Sequence, residues 1–410
     1  MANDFTKQEL IAFDKYQEGF DKELDLSMSV AQFTPGPVEL ERAISATYQR
    51  RQPKMAEVID GFDISGETAD DLIDRFVPGF VNKHKNVFFN MNAKELRDPM
   101  QMDDAIRSSR RQLAAQVEVD VAEAVANQAA IVVKRNAPTG YADLARCETA
   151  MRQRGIQAGD WSLYLNSEDN AAMADNLASR QTINQKPTTA MERSRIGNMA
   201  SFKVGSVDLL PTITGSASTG VTVNGAVTAH TVAVMADNRP VDNRYQDITL
   251  SASHGLVVGD AIQIDGVDTV HVLTKQPTGR PYTFRVYGVS GNTVTINAMV
   301  TAGPYQNVTA VPADSAAVTV LNNETKMANV FWTKDSVELA KGSIDTSTMN
   351  GAGLSVRSAT TPQGIQLVMA KQAGLKTFKV ETRLHIYYDV NVLDPTRCGL
   401  MLCNQTGAVN

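Results

Sequence analysis

Residues 103–131 read DDAIRSSRRQLAAQVEVDVAEAVANQAAI, without Gly or Pro. Ala is frequent, and Leu113, Val117, Val121 and Val125 recur four apart, which lines them up on one face of a helix. Asp103 and Asp104 stand at its start, where the positive end of the helix dipole favours acids. Arg107, Arg110 and Arg111 fall on other faces of the first half and are free to stay solvated. At about 1.5 Å per residue the helix is a rod of roughly 40 Å, long for a globular protein. Its periodicity fits an ordinary domain helix and equally a strut across which other layers are laid.

Upstream, Phe13, Tyr16, Phe20 and Leu24 make a stripe at helical spacing. Thr6 and Glu9 form a capping-box pair before it, and Thr34-Pro-Gly-Pro37 ends the segment. The stripe suits an ordinary first helix, or an arm that docks on a neighbouring subunit. From Arg50 to Asn86 the pattern weakens. Asp60, Asp63, Glu67, Asp70, Asp71 and Asp74 alternate with Ile59, Phe62, Ile64, Leu72, Ile73 and Phe76, and Gly61, Gly66, Pro78 and Gly79 punctuate the run. A turn-rich excursion this long needs a reason, and reaching across to another subunit supplies one. Val87–Met91 is a short strand that leads into the long helix.

Downstream, a helix from Tyr141 carries Leu144, Cys147 and Met151 on one face and ends at Gly155. Trp161, Leu163 and Leu165 alternate with Ser162 and Tyr164 as a half-buried strand. Ser167 caps a short helix with Ala171, Ala174 and Leu177, so this stretch is an α/β layer. Composition shifts near Gly215. From there to Asn323 the chain is rich in Thr, Val and Gly, with strand runs at Thr231–Met235, Ile248–Ser251, Ala261–Ile264, Tyr282–Val289, Thr293–Asn297 and Ala317–Val320. Gly259-Asp260, Asp265-Gly266 and Ser290-Gly-Asn292 read as turns between them. This predicts a small β-barrel or sandwich of roughly 100 residues, inserted between flanking α/β sequence. Apolar patterning resumes at Asn329-Val-Phe-Trp332 and Ser336–Lys341. Phe378, Val380, Thr382, Leu384, Ile386 and Tyr388 then alternate along a long strand with one buried face, and Gly399–Cys403 closes the chain as a short strand.

A chain of 410 residues exceeds one simple core, and 43% apolar with 20% charged residues fits a folded protein. A net charge of −6 marks no dedicated nucleic-acid binder. No apolar run reaches the roughly 18 residues of a membrane span, and the N-terminus has no signal-peptide pattern. Cys147, Cys398 and Cys403 cannot all pair with one another and suit small buried hydrophobes in a reducing compartment.

His84, His230, His254, His271 and His385 are scattered and make no metal spacing. There is no phosphate loop, no GxGxxG after a strand and no GxSxG elbow. No catalytic, metal or cofactor residue is therefore expected. A paired carboxylate site leaves no local motif and stays open. The loop Ala236-Asp-Asn-Arg-Pro-Val-Asp-Asn-Arg244 carries Asp237, Arg239, Asp242 and Arg244, both signs together. It is either a solvated hairpin tip or a contact that meets its own copy across a two-fold axis, acid to base.

Three stretches carry a family resemblance: Phe88-Phe-Asn-Met-Asn-Ala-Lys-Glu-Leu-Arg-Asp98 with Arg110-Arg-Gln-Leu-Ala114; Val241-Asp-Asn-Arg-Tyr245 through Gly259-Asp-Ala-Ile262 and Asp265-Gly-Val267; and Asn329-Val-Phe-Trp332 with Tyr388-Asp-Val-Asn391 and Pro395. In order and spacing the chain resembles the major capsid (coat) proteins of short-tailed bacteriophages of the P22 type. The resemblance implies an α+β, Hong Kong 97-type capsid fold with an inserted immunoglobulin-like or telokin-like domain. It divides the chain into an N-terminal arm (1–32), a peripheral domain (33–49 and 83–139), an extended loop (50–82), an axial domain (140–214 and 325–377), the insertion (215–324) and C-terminal strands returning to the peripheral domain (378–410).

It further implies a homo-oligomer of hexamers and pentamers in an icosahedral shell. The implied partners are a scaffolding protein, a portal protein and packaged double-stranded DNA, with no membrane and no cofactor. Asp237 and Arg239, then Asp242 and Arg244, are its implied contacts between subunits. Two alternatives stand beside it: a cargo-enclosing cage of the same fold, and an α/β enzyme with a carbohydrate-binding β module. Trp161 and Trp332 both lie outside the β module, which weakens sugar stacking there.

Overall fold

The long helix of the computed structural model runs Pro99–Gln128 and both starts and ends earlier than the periodicity predicts. Asp98 accepts the Met100 N–H at 3.0 Å and so caps it, and Pro99 suits a first turn whose N–H needs no partner. Asp103 stands further along and pairs with Lys15 at 3.2 Å. At the other end, Ile131 is drawn out of the helix into strand Ile131–Lys134 by parallel pairing with Gly399. Leu113, Val117, Val121 and Val125 are all buried.

The structure describes residues 5, 7–36, 47–56, 58–59, 61–63, 65, 73–92, 95, 98–179, 196–236, 239–344, 346, 354–374, 377 and 379–410. The chain divides into two units. One comprises Met1–Tyr48, Gly79–Ala122 and Glu338–Asn391, the other Gln49–Pro78, Glu123–Val337 and Val392–Asn410.

In the first unit, Lys379–Val392 is the central strand of a six-stranded sheet, antiparallel to Gln366–Gly374 on one side and to Lys83–Asn92 on the other. Its Thr382, Leu384, Ile386 and Tyr388 are buried at alternate positions; Phe378 lies outside the described residues. The arm helix Lys7–Phe20 buries Phe13, Tyr16 and Phe20 in this unit, as does Leu24 just beyond. Glu9 pairs with Lys371 at 2.6 Å and Asp14 with Arg357 at 2.8 Å. The apolar stripe is therefore spent on its own chain, which removes it as a docking face for a neighbour. Thr6, half of the expected capping box, lies outside the described residues. Arg110, expected to be solvated, donates to Glu23 at 2.7 Å, because the turn after the arm brings that carboxylate over the helix.

In the second unit, a five-stranded sheet has the order Ile131–Lys134, Cys398–Leu402, Asn329–Thr333, Trp161–Leu165, Phe202–Ser206. Trp161–Leu165 is buried at every position rather than half-buried, since it lies between two neighbouring strands and its sheet is covered on both faces. The Phe331 ring lies over the position of Gly399 directly across the ladder, where a Cβ would collide with it. The chain crosses between sheets at its end: Lys379–Val392 belongs to the six-stranded sheet and Cys398–Leu402 to this one. Helix Ser167–Ser179 is capped by Asn166 rather than Ser167; the Asn166 side-chain oxygen accepts the Asp169 N–H at 2.8 Å, and its amide donates to the Asp169 carboxylate.

The Thr/Val/Gly-rich stretch folds as two small sheets on one apolar core. Pro277–Arg285, Ala261–Val270, Ala317–Val320 and Val221–Thr222 form one; Tyr245–Thr249, Thr293–Asn297 and Gly288–Ser290 form the other. Ile262, Phe284, Val294 and Ile296 lie in the core between them. Asp265-Gly266 is a bulge inside strand Ala261–Val270, not a turn, and Gly266 takes φ +80° there. The run Tyr282–Val289 is cut after Arg285, and the chain passes from one sheet to the other. Of Thr231–Met235 only Met235 is in a strand, because the Asn243 side chain takes the Ala233 N–H and C=O that a ladder would use. The ingoing and outgoing chains meet where Gly215 presses on the Asn322 carbonyl and Asp260 accepts the Ser216 N–H at 3.0 Å.

Candidate functional site

The four charged residues of the 236–244 loop divide into two pairs. Asp237 lies outside the described residues. Arg239 is placed by its backbone in a short antiparallel ribbon, with Met235 opposite Pro240 and Ala236 opposite Arg239. Asp242 and Arg244 face each other: the Arg244 guanidinium donates to both carboxylate oxygens, at 2.8 Å and 2.6 Å, and its third nitrogen donates to the Val392 carbonyl at 2.6 Å. Arg244 is thereby engaged with its own chain, and only the Asp242 side chain, 28% exposed, retains solvent access.

Around this pair the β module grips the C-terminal end of the long helix. The last carbonyls of a helix have no partner within it and carry partial negative charge. Here Arg285 donates to the Ala126 carbonyl at 2.7 Å and the Tyr287 hydroxyl to the Gln128 carbonyl at 2.8 Å. The Thr283 hydroxyl donates to the Ala130 carbonyl at 2.8 Å, and Arg154 reaches the same oxygen at 3.3 Å. The Arg285 side chain is fully buried, and burial brings its pKa down to about 10, still above neutrality. A positive charge therefore sits inside the module against the negative end of the helix.

None of these four residues stood out in the sequence. The available signal was Arg285 itself, the one charge in the run Tyr282–Val289.

A second anchor lies in the first unit. Glu118 on the long helix is buried and accepts three consecutive backbone N–H groups, from Asp25, Leu26 and Ser27, at 3.1, 2.6 and 3.1 Å. Asp120, two residues on, accepts the Tyr388 hydroxyl at 2.7 Å and stands 3.5 Å from the amines of Lys83 and Lys85.

The acidic run of the excursion falls partly outside the described residues, at Asp60, Glu67, Asp70 and Asp71. Of the rest, Asp74 pairs with Lys54 at 3.0 Å, and Val58 and Phe62 are exposed. The strands at its base, Thr47–Arg51 and Phe76–Phe80, pair with each other. Among the described residues no cluster of His, Cys, Asp and Glu could hold a metal ion. The three cysteines are free and buried, and burial raises all three thiols, that of Cys398 to about 12. No described helix is long and apolar enough to cross a membrane.

A family model described as P22 coat protein - gene protein 5 matches residues 1–403. Among solved structures, the chain is similar to the CUS-3 coat protein I-domain at 50% identity, over 25% of this chain and 95% of that one, with a TM-score of 0.21. It is also similar to the capsid of the Cyanophage P-SCSP1u (9% identity, 93% and 88% covered, TM-score 0.45) and to the mature capsid of bacteriophage PhiM1 (8% identity, 94% and 88% covered, TM-score 0.43).

Proposed function

The chain belongs to the P22 coat protein family, and from that premise we propose how its parts serve a phage shell. It is a major capsid protein, a structural component of the virion that assembles into an icosahedral shell. The observation that carries this is the family match over residues 1–403. In our reading the fold is of the Hong Kong 97 type, the Pro99–Gln128 helix is its spine, and the β module is the family's inserted domain. The 50% identity to the CUS-3 I-domain supports that last assignment.

The subunits form hexamers and pentamers around double-stranded DNA, with a scaffolding protein and a portal as partners. The chain works mechanically rather than catalytically. Contacts worth about 0–1 kcal/mol each when exposed become decisive when a closed lattice repeats them.

Contact between subunits is assigned first to Asp237 and Arg239. Asp242 and Arg244 act behind them: their mutual grip and the bond to Val392 hold the loop's root. Negative-stain electron microscopy of the protein, expressed with and without its scaffolding partner, tests the reading. Closed shells are expected, and a monodisperse monomer under both conditions would overturn it. For the loop, Arg239→Asp is expected to cut particle yield several-fold while leaving the subunit's unfolding midpoint unchanged. Unchanged yield would remove the loop from the contacts.

A further inference from the structure

Four arginines converge on one cavity of the second unit. Arg75, Arg154, Arg244 and Arg397 line a space of about 120 Å³, where one water needs about 10–15 Å³ by the same measure. Their charges are unequally answered. Arg244 is held by Asp242 at 2.6 Å, and Arg397 by Asp394 at 3.3 Å. Asp394, the carboxylate lining the cavity, is also used locally, accepting from the Thr396 N–H at 3.1 Å and hydroxyl at 2.6 Å.

Among the described residues neither Arg75 nor Arg154 forms an ion pair. Each lies over a tyrosine ring, Arg75 over Tyr305 at 4.0 Å and Arg154 over Tyr282 at 4.1 Å, and Arg154 is further held by neutral acceptors, the Tyr282 hydroxyl at 3.1 Å, the Thr283 hydroxyl at 2.8 Å and the Ala130 carbonyl at 3.3 Å. Such stacking orients a guanidinium without neutralising it, and Asp394 acts on Arg75 from beyond ion-pair distance. Arg75 donates one nitrogen to the Pro53 carbonyl at 3.2 Å, while its Nε is buried without any hydrogen-bond partner. A buried donor left unmade costs about 1–3 kcal/mol, more on a charged group. Two guanidinium groups that form no ion pair among the described residues therefore line one partly apolar space, with Asp394 the one carboxylate in its lining.

We propose that this cavity is a binding site for a small tetrahedral oxyanion of the inorganic phosphate class, held between Arg75 and Arg154. Guanidinium forks match the oxygens of such an anion. Its place gives it a structural effect. Arg75 stands at the base of the excursion, Arg154 follows helix Tyr141–Gln153, and Tyr305 belongs to the β module. Tyr305 already ties two of these segments, accepting the Met55 N–H at 3.2 Å and donating to the Ile73 carbonyl at 3.2 Å. An anion bridging the two arginines adds the third segment and locks the module's seat.

The test is titration of inorganic phosphate into the full chain, in chloride buffer at constant ionic strength, followed by calorimetry and thermal unfolding. Saturable one-to-one binding with a rise in unfolding temperature is expected, with sulfate competing and added chloride not. A response that never saturates, or that any salt reproduces at matched ionic strength, would overturn the site. Arg75→Gln should abolish binding. Because that variant could also loosen the fold, Arg75→Lys is the second arm: it keeps the charge, loses the fork, and should weaken binding about tenfold. Wild-type affinity in Arg75→Lys would equally overturn the proposal. The outcome is independent of shell assembly, since a subunit that binds phosphate yet forms no particles, or the reverse, separates the two readings.

Discussion

The two large sheets of this protein use their faces differently. In the five-stranded sheet every position of Ile131–Lys134, Trp161–Leu165, Asn329–Thr333 and Cys398–Leu402 is buried. In the six-stranded sheet, strand Lys83–Asn92 alternates between half-buried and exposed along nearly its whole length. Its outward row of His84, Asn86 and Phe88 stands opposite Tyr387, His385 and Arg383. A sheet covered on both faces offers mainly packing, so its strands are mostly apolar, with Lys134, Ser162, Asn329 and Thr333 as buried exceptions. A sheet covered on one face can carry polar and titratable groups on the other. The difference teaches where substitutions should be felt as lost stability and where they should leave the fold intact.

The sharpest way to break the comparison is Trp332→Ala. Trp332 is fully buried in the five-stranded sheet and stacks on Tyr164 at 5.2 Å. Removal of a buried aromatic costs about 3–5 kcal/mol, read from denaturant unfolding; a loss under about 1 kcal/mol would mean that this sheet is not closed on both faces.

Glu118→Ala comes next. It strands the N–H groups of Asp25, Leu26 and Ser27 and should cost about 1–3 kcal/mol in the covered side of the other unit. Amide exchange at residues 25–27 should speed up selectively, whereas a uniform change across the chain would assign Glu118 a general rather than a local role.

On the open face, Phe88→Ser should shift stability by no more than about 0.5 kcal/mol, since Phe88 is 62% exposed. A loss of Trp332 size there would show that this face is covered after all.

The same open face also carries a pH dependence. Burial first, then the charges of Arg383 and His84, bring the His385 pKa down from 6.5 to about 4. Below pH 6.5 the unfolded chain takes up a proton that the folded chain refuses until about pH 4. Stability present above pH 6.5 is thus lost as the pH falls through that window. His385→Gln should flatten that stretch of the stability–pH curve, and an unaltered slope would assign the titration to other groups.

The same contrast marks what could be read in advance. The stripe Leu113, Val117, Val121 and Val125 and the strand Thr293–Asn297 were legible because their neighbours in sequence carry the pattern. Trp161–Leu165 misled: Ser162 looked like an outward position, yet it is buried because the layer on its far side comes from elsewhere in the chain. Asp265-Gly266 has the chemistry of a turn, but pairing on both sides of Ala261–Val270 keeps it in the strand as a bulge. For the charged loop, the sequence showed four charges in nine residues and could not show that Asp242 and Arg244 answer each other.

By itself, then, the sequence determined the long amphipathic helix, the Thr/Val/Gly-rich β module and the apolar runs of both sheets. All are written in periodicity and composition, which are properties of consecutive residues. The tertiary structure alone decided how the helix ends are satisfied and which charges are left without an ion-pair partner. Arg285 meets the Ala126 carbonyl across 159 residues of chain. Arg75 and Arg154 share a cavity that no local pattern announces. Burial and pairing of charges depend on what folding brings alongside, and a residue's neighbours in sequence do not specify that.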